Sequence, residues 1–149
     1  MGENFSLPKH KNILVGVDDS ADAQFAFLNA VSHALEDDSL LHIVTVLETD
    51  TLNVFEALDK EKLKAKRAKI EQRLHEYQQQ ALEAGVKEVH LVFAEGEPGE
   101  TIVKDVIPNV QPDLVVVGAA ATKKGLGKYM GSQAGYVAKY SPVSVLVVR

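Results

Sequence analysis

Apolar positions along this chain come in compact blocks separated by polar, helix-patterned stretches. "KNILVGVDD" holds an apolar run from Ile13 to Val17 that ends on two acids, which predicts strand one. Asp19 or Ser20 is placed to cap the helix that follows. There Phe27, Leu28, Val31, Ala34 and Leu35 recur at helical spacing and are expected to face a sheet. "LLHIVTVLE" predicts strand two, and its apolar residues are too continuous for a strand with one wet face; such runs suit a parallel sheet covered on both sides. From about Phe55 to Ala84 the pattern predicts a long charged helix with Leu63, Ile70, Leu74, Tyr77 and Ala81 on one stripe and Gly85 as its stop. "VKEVHLVFAEG" reads as strand three, and "GETIVKDVIPNV" as a short helix ending near Pro108. "DLVVVG" reads as strand four, Gly131 to Tyr140 as the last helix, and "VSVLVV" as strand five.

Strands that alternate with helices in this way predict an open α/β fold with a parallel sheet. Residues 1–11 read as a tail and 12–149 as one domain, without repeat, low-complexity tract or linker. Composition adds exclusions. The net charge of −5 argues against nonspecific binding to nucleic acid or an anionic membrane. Without cysteine there is no disulfide framework, thiolate nucleophile or Cys-type zinc site. No stretch approaches the roughly 20 apolar residues of a membrane span, and "MGENFSLPKHK" lacks a secretion signal's apolar core. It matches the loose myristoylation pattern at Gly2 and Ser6, a short pattern that chance supplies often. A cytoplasmic protein is expected.

In open α/β sheets ligands bind beyond the carboxyl ends of the strands, where strand order reverses. Strand one offers Asp18 and Asp19 there, carboxylates that would repel a pyrophosphate and that replace the glycines of a dinucleotide fingerprint. They suit ribose hydroxyls or a divalent cation instead. Strand four offers the opposite chemistry. Gly118, Gly125, Gly127 and Gly131 let backbone approach a ligand closely. Gly131 and Ser132 open the last helix, whose first N–H groups favour an anion. Lys123, Lys124 and Lys128 are candidate phosphate contacts. The alternative for this loop is a plain crossover. It is not a P-loop, because the glycine spacing fails and Tyr129 stands where a magnesium-binding hydroxyl belongs.

Three stretches together resemble the universal stress protein family over nearly the whole chain: "KNILVGVDDSADAQFAF", "FAEGEPGETIVKDV" and "DLVVVGAAATKKGLGKYMGSQAGYVAKYSPVSVLVVR". The family's nucleotide-binding branch carries Gly, two residues, Gly, nine residues, then Gly with Ser or Thr. Gly118 matches the first element and Gly131 with Ser132 the last, while Ala121 replaces the middle glycine. The resemblance implies an adenine nucleotide alpha hydrolase-like sheet of order 3-2-1-4-5 with helices on both faces. It implies binding of ATP, or AMP or ADP, with Mg2+ as a candidate companion. It places Asp18 at the ribose, Val46 at the adenine, and Gly118, Ala121, Gly131, Ser132 and Gln133 around the phosphates. It also implies a homodimer paired through strand five, an edge too apolar to leave bare in water.

No catalytic set stands out. The histidines are scattered, with His42 and His90 in strands and His10 in the tail, and Ser132 lacks a partner base and a nucleophile elbow. The expected role is therefore stress-response binding and dimerisation. The alternatives are slow metal-assisted ATP hydrolysis or autophosphorylation, and a dimerisation module without nucleotide. A phospho-receiver built on Asp18 and Asp19 is set aside, because "FAEGE" lacks the aspartate to be phosphorylated.

Overall fold

The computed structural model describes residues 5–48, 59–119 and 131–149. Five strands form at the apolar runs: β1 (Asn12–Gly16), β2 (Leu40–Leu47), β3 (Val89–Glu95), β4 (Leu114–Gly118) and β5 (Ser144–Val148). All neighbours pair in parallel, in the order β3-β2-β1-β4-β5. The chain leaves β1 toward one edge and later returns to β4 on its other side. Strand order therefore reverses between β1 and β4, with Val15 in register with Val116, and the exits of these strands open a crevice.

Helices cover both faces. On one, α1 (Ala21–Asp37) and α2 (Lys60–Ala84) pack over the sheet, with Phe27, Ala30, Leu74 and Ala81 against Ile13, Val15, Ile43 and Val116. The other face carries α3 (Pro98–Thr101), a π-helical stretch (Ile102–Val106), α4 (Ile107–Val110) and α5 (Ser132–Tyr140). There Ile102, Val106, Ala134 and Val137 meet Leu14, Val44, Val115 and Val117. Because successive strand residues point to opposite faces, two separate cores explain why β1 and β4 read as unbroken apolar runs.

Several boundaries differ from expectation. Leu28 and Leu35 are 51% and 45% exposed rather than turned to the sheet. The buried stripe of α1 is Ala23, Ala26, Phe27, Ala30, Val31 and Ala34, and Leu28 and Leu35 fall on its flank, turned further round the helix. The start predicted for α2 near Phe55 lies outside the described residues. Within them the helix begins at Lys60, with Asp59 accepting from the N–H groups of Glu61 and Lys62. It stops at Gly85, whose φ of 114° suits glycine as predicted.

The short helix runs through Pro108 and ends near it, at Val110, as expected. It continues past the proline because the preceding π stretch widens the turn, the N–H of Ile107 donating five residues back to the carbonyl of Ile102. The Asp105 carbonyl accepts from the side-chain amide of Asn109 at 2.9 Å. A proline that would break a regular helix is thus accommodated.

Candidate functional site

The crevice is built from the exits of β1, β2 and β4. Past β1, Asp18 is exposed and its Oδ1 accepts the N–H of Ser20 at 2.7 Å, a turn that aims the chain into α1. Ser20 is the cap: its Oγ accepts the N–H of Ala23 at 3.1 Å. One of the opening N–H groups of α1 is therefore capped from within. Asp19 forms an ion pair with Arg73 of α2, which holds α2 over this exit. Tyr77, one turn further along α2, has its phenol pushed above the ordinary value, by burial first; Arg73 opposes this and the charge of Asp18 adds to it.

On β2, the main chain supplies groups of its own. The N–H of Val17 donates to the carbonyl of Val44 at 2.9 Å, so β2 turns its even-numbered residues toward β1. Val46 faces the same side, beyond the last β1 residue in the ladder, Gly16. Its side chain is partly buried against the second core. The carbonyl of Val17 accepts from the buried Thr45 hydroxyl at 3.0 Å, leaving Val46 as the main-chain group turned into the crevice. Thr45 was not anticipated; a threonine in an otherwise aliphatic run was its only signal.

At β4, Gly118 serves packing directly. A Cβ there would lie 2.8 Å from the Asp22 carbonyl carbon and 2.9 Å from the Ala23 nitrogen. The strand exit and the first turn of α1 touch backbone to backbone. Ala119 then ties two elements together, its N–H donating to Val148 at 2.7 Å and its carbonyl accepting from Gly131 at 2.8 Å. Gly131 is the N-terminal cap residue of α5 and has no side chain of its own to cap the helix. Its own N–H is used to fix the helix beside β4, so the groups at the mouth are the N–H groups of Ser132, Gln133 and Ala134 and the exposed Ser132 hydroxyl.

The structure thus brings Asp18, Val46, Gly118, Gly131 and Ser132 to the carboxyl end of the sheet. Ala121, Lys123, Lys124 and Lys128 lie outside the described residues. Gln133 is there too, but its side chain is engaged elsewhere: Oε1 accepts the N–H of Gly99 at 2.6 Å and Nε2 donates to Glu97 at 3.1 Å. The histidines of the strands lie toward the opposite end. His42 Nδ1 is 2.8 Å from Asn12 Oδ1, and its ring stacks on His90 at 5.0 Å. Burial first, then the neighbouring His90, lowers the pKa of His42, while Glu88 opposes. Among the described residues, no group of three or more His, Cys, Asp or Glu is arranged to hold a metal.

The family model of the Universal stress protein family matches residues 9–149. The chain belongs to this family. A universal stress protein of Staphylococcus aureus (strain USA300) is 32% identical over 140 residues, spanning 94% of this chain and 84% of that one. Among solved structures, the universal stress protein UspA from Lactobacillus plantarum superposes with a TM-score of 0.84 at 30% identity, covering 96% of this chain and all of its own. A universal stress protein in complex with cAMP superposes with a TM-score of 0.72 at 25% identity, covering 95% and 98%. The expected sheet order and family are both borne out.

Proposed function

We propose that this universal stress protein binds an adenine nucleotide, ATP or its mono- and diphosphate relatives, in the crevice between β1 and β4. The observation that carries this reading is the polarity of that crevice. A carboxylate at Asp18 faces one side, suited to ribose hydroxyls, and the N–H groups that open α5 with Ser132 face the other, suited to phosphate. Val46 lies at the exit of β2, on the side of β1 away from β4, with main-chain groups for a purine edge. The solved relative in complex with cAMP supports an adenine nucleotide as the ligand class. A magnesium ion would be held largely by the oxygens of the triphosphate it accompanies, with Asp18 as a candidate carboxylate ligand. Among the described residues no helix is long and apolar enough to cross a membrane, and the role proposed is cytoplasmic.

The output we propose is stress-response signalling through nucleotide occupancy and a homodimer formed along β5. This strand ends the sheet, and its residues Val145 to Val148 are only partly covered. A bare edge of this composition favours pairing with a second copy. Calorimetric titration with ATP tests the binding: micromolar affinity is expected, and a silent titration at millimolar ATP and at millimolar AMP refutes it.

A further inference from the structure

The turn between β3 and α3 is pressed against the first turn of α5. A Cβ on Gly99 would come within 2.9 Å of the Gln133 carbonyl oxygen and 3.0 Å of Tyr136 Cβ. Backbone packing therefore sets the spacing of the two segments. Gln133, second residue of α5, spans them: its Oε1 accepts the Gly99 N–H at 2.6 Å, and its Nε2 donates to Glu97 Oε2 at 3.1 Å. A glutamate carboxylate is thereby held within one glutamine side chain of the N–H groups that open α5. That reach, one side chain and one hydrogen bond, is comparable with the screening length of about 8 Å at physiological ionic strength.

We propose that Glu97 is a charge filter for the crevice, a specificity-determining residue that biases it toward adenine nucleotides carrying few phosphates. The proposal rests on the nucleotide reading above and adds which ligands the site prefers. The physics is simple superposition. The α5 mouth attracts anionic charge through its N–H groups, and the Glu97 carboxylate subtracts from that field. The subtraction scales with ligand charge: nothing for adenosine, modest for AMP, largest for ATP. Gln133 acts as the positioning residue, since its amide orients the carboxylate while its oxygen anchors the turn. Selectivity of this kind comes from a repulsive element placed against the wrong ligand.

The test compares wild type, Glu97→Gln and Glu97→Asp by calorimetric titration with adenosine, AMP and ATP, at low and at high salt. Glu97→Gln keeps the shape of the side chain and removes its charge. At low salt it is expected to tighten ATP by about three- to tenfold, AMP by less, and adenosine not at all, with the gain shrinking at high salt. Glu97→Asp retains the charge and should retain the wild-type order. An equal change for all three ligands, or no gain for ATP in a protein that binds AMP or adenosine, overturns the filter alone. Silence of every variant toward all three ligands overturns the nucleotide reading with it.

Discussion

Replacing Gly118 by alanine separates two reasons for a glycine at the exit of β4. The residue matches the family's phosphate-loop pattern, yet its Cα already faces the first turn of α1. A methyl group there would stand 2.8 Å from the carbonyl carbon of Asp22, 2.9 Å from its oxygen and 2.9 Å from the nitrogen of Ala23. All three are main-chain atoms, so no side chain can swing aside; α1 must move away from a strand it packs against through Ala23 and Ala26. Overpacking of this kind costs about 1–3 kcal/mol. For a chain of this size that is a fall in Tm of about 2–4 °C per kcal/mol. Gly135→Ala makes the same chemical change inside α5, where a Cβ meets nothing within 4 Å. It should raise stability by about 0.5–1 kcal/mol through helix propensity. Urea unfolding of the two variants beside wild type reads both signs. A Gly118→Ala protein with the wild-type midpoint and slope would refute the packing argument and leave ligand approach as the reason for the glycine.

Other expectations follow from the same geometry. Because Val148 gives its carbonyl to Ala119, odd-numbered residues of β5 turn their main chain outward. Val147→Pro should therefore remove an exposed donor and convert a β5-paired dimer to monomer in sedimentation equilibrium; an unchanged dimer rules out pairing along that edge. His42 has a lowered folded-state pKa, so the unfolded chain takes up the proton first. Stability from its neutral form is complete above about pH 6.5 and is lost as pH falls below it. Urea midpoints between pH 8 and 5 should show this decline, and His42→Gln should flatten it. Ala121→Gly restores the family's glycine and should tighten ATP about fivefold, the worth of roughly 1 kcal/mol of relieved backbone strain; equal affinities in calorimetry defeat that expectation.

The sheet was legible because both of its faces are buried. Runs such as Ile13–Val17 and Leu114–Val117 have no polar interruption to confuse strand with surface, and their alternation with helices leaves few topologies. Helix detail was less legible. On α1, loose periodicity admits Leu28 and Leu35 to the apolar stripe, and only the exact phase at which the helix meets the sheet leaves them on its flank. Pro108 marked the neighbourhood of a helix end, two residues before Val110, but no local rule announced the π turn just before it. At the site, the glycines and Ser132 carried a signal in their spacing. The side-chain bridge from Gln133 to Glu97 and Gly99 did not, since it joins residues 34 and 36 positions apart, and no local pattern encodes such a contact.

That bridge also bears on why the two helix mouths of the crevice differ. The mouth of α1 is capped by Ser20, one residue before the helix, and carries Asp22 in its first turn. The mouth of α5 follows Gly131, which has no side chain to give, and its first turn has no acid. An anion entering between β1 and β4 meets repulsion on the first side and the opening N–H groups of α5 on the second. Under the nucleotide reading this fixes orientation before any base contact forms: sugar toward Asp18, phosphates toward Ser132. Glu97 is the exception to the division, an acid brought to the donor side by Gln133. An acid in that position weakens the pull on a phosphate chain without reversing the direction in which the ligand lies.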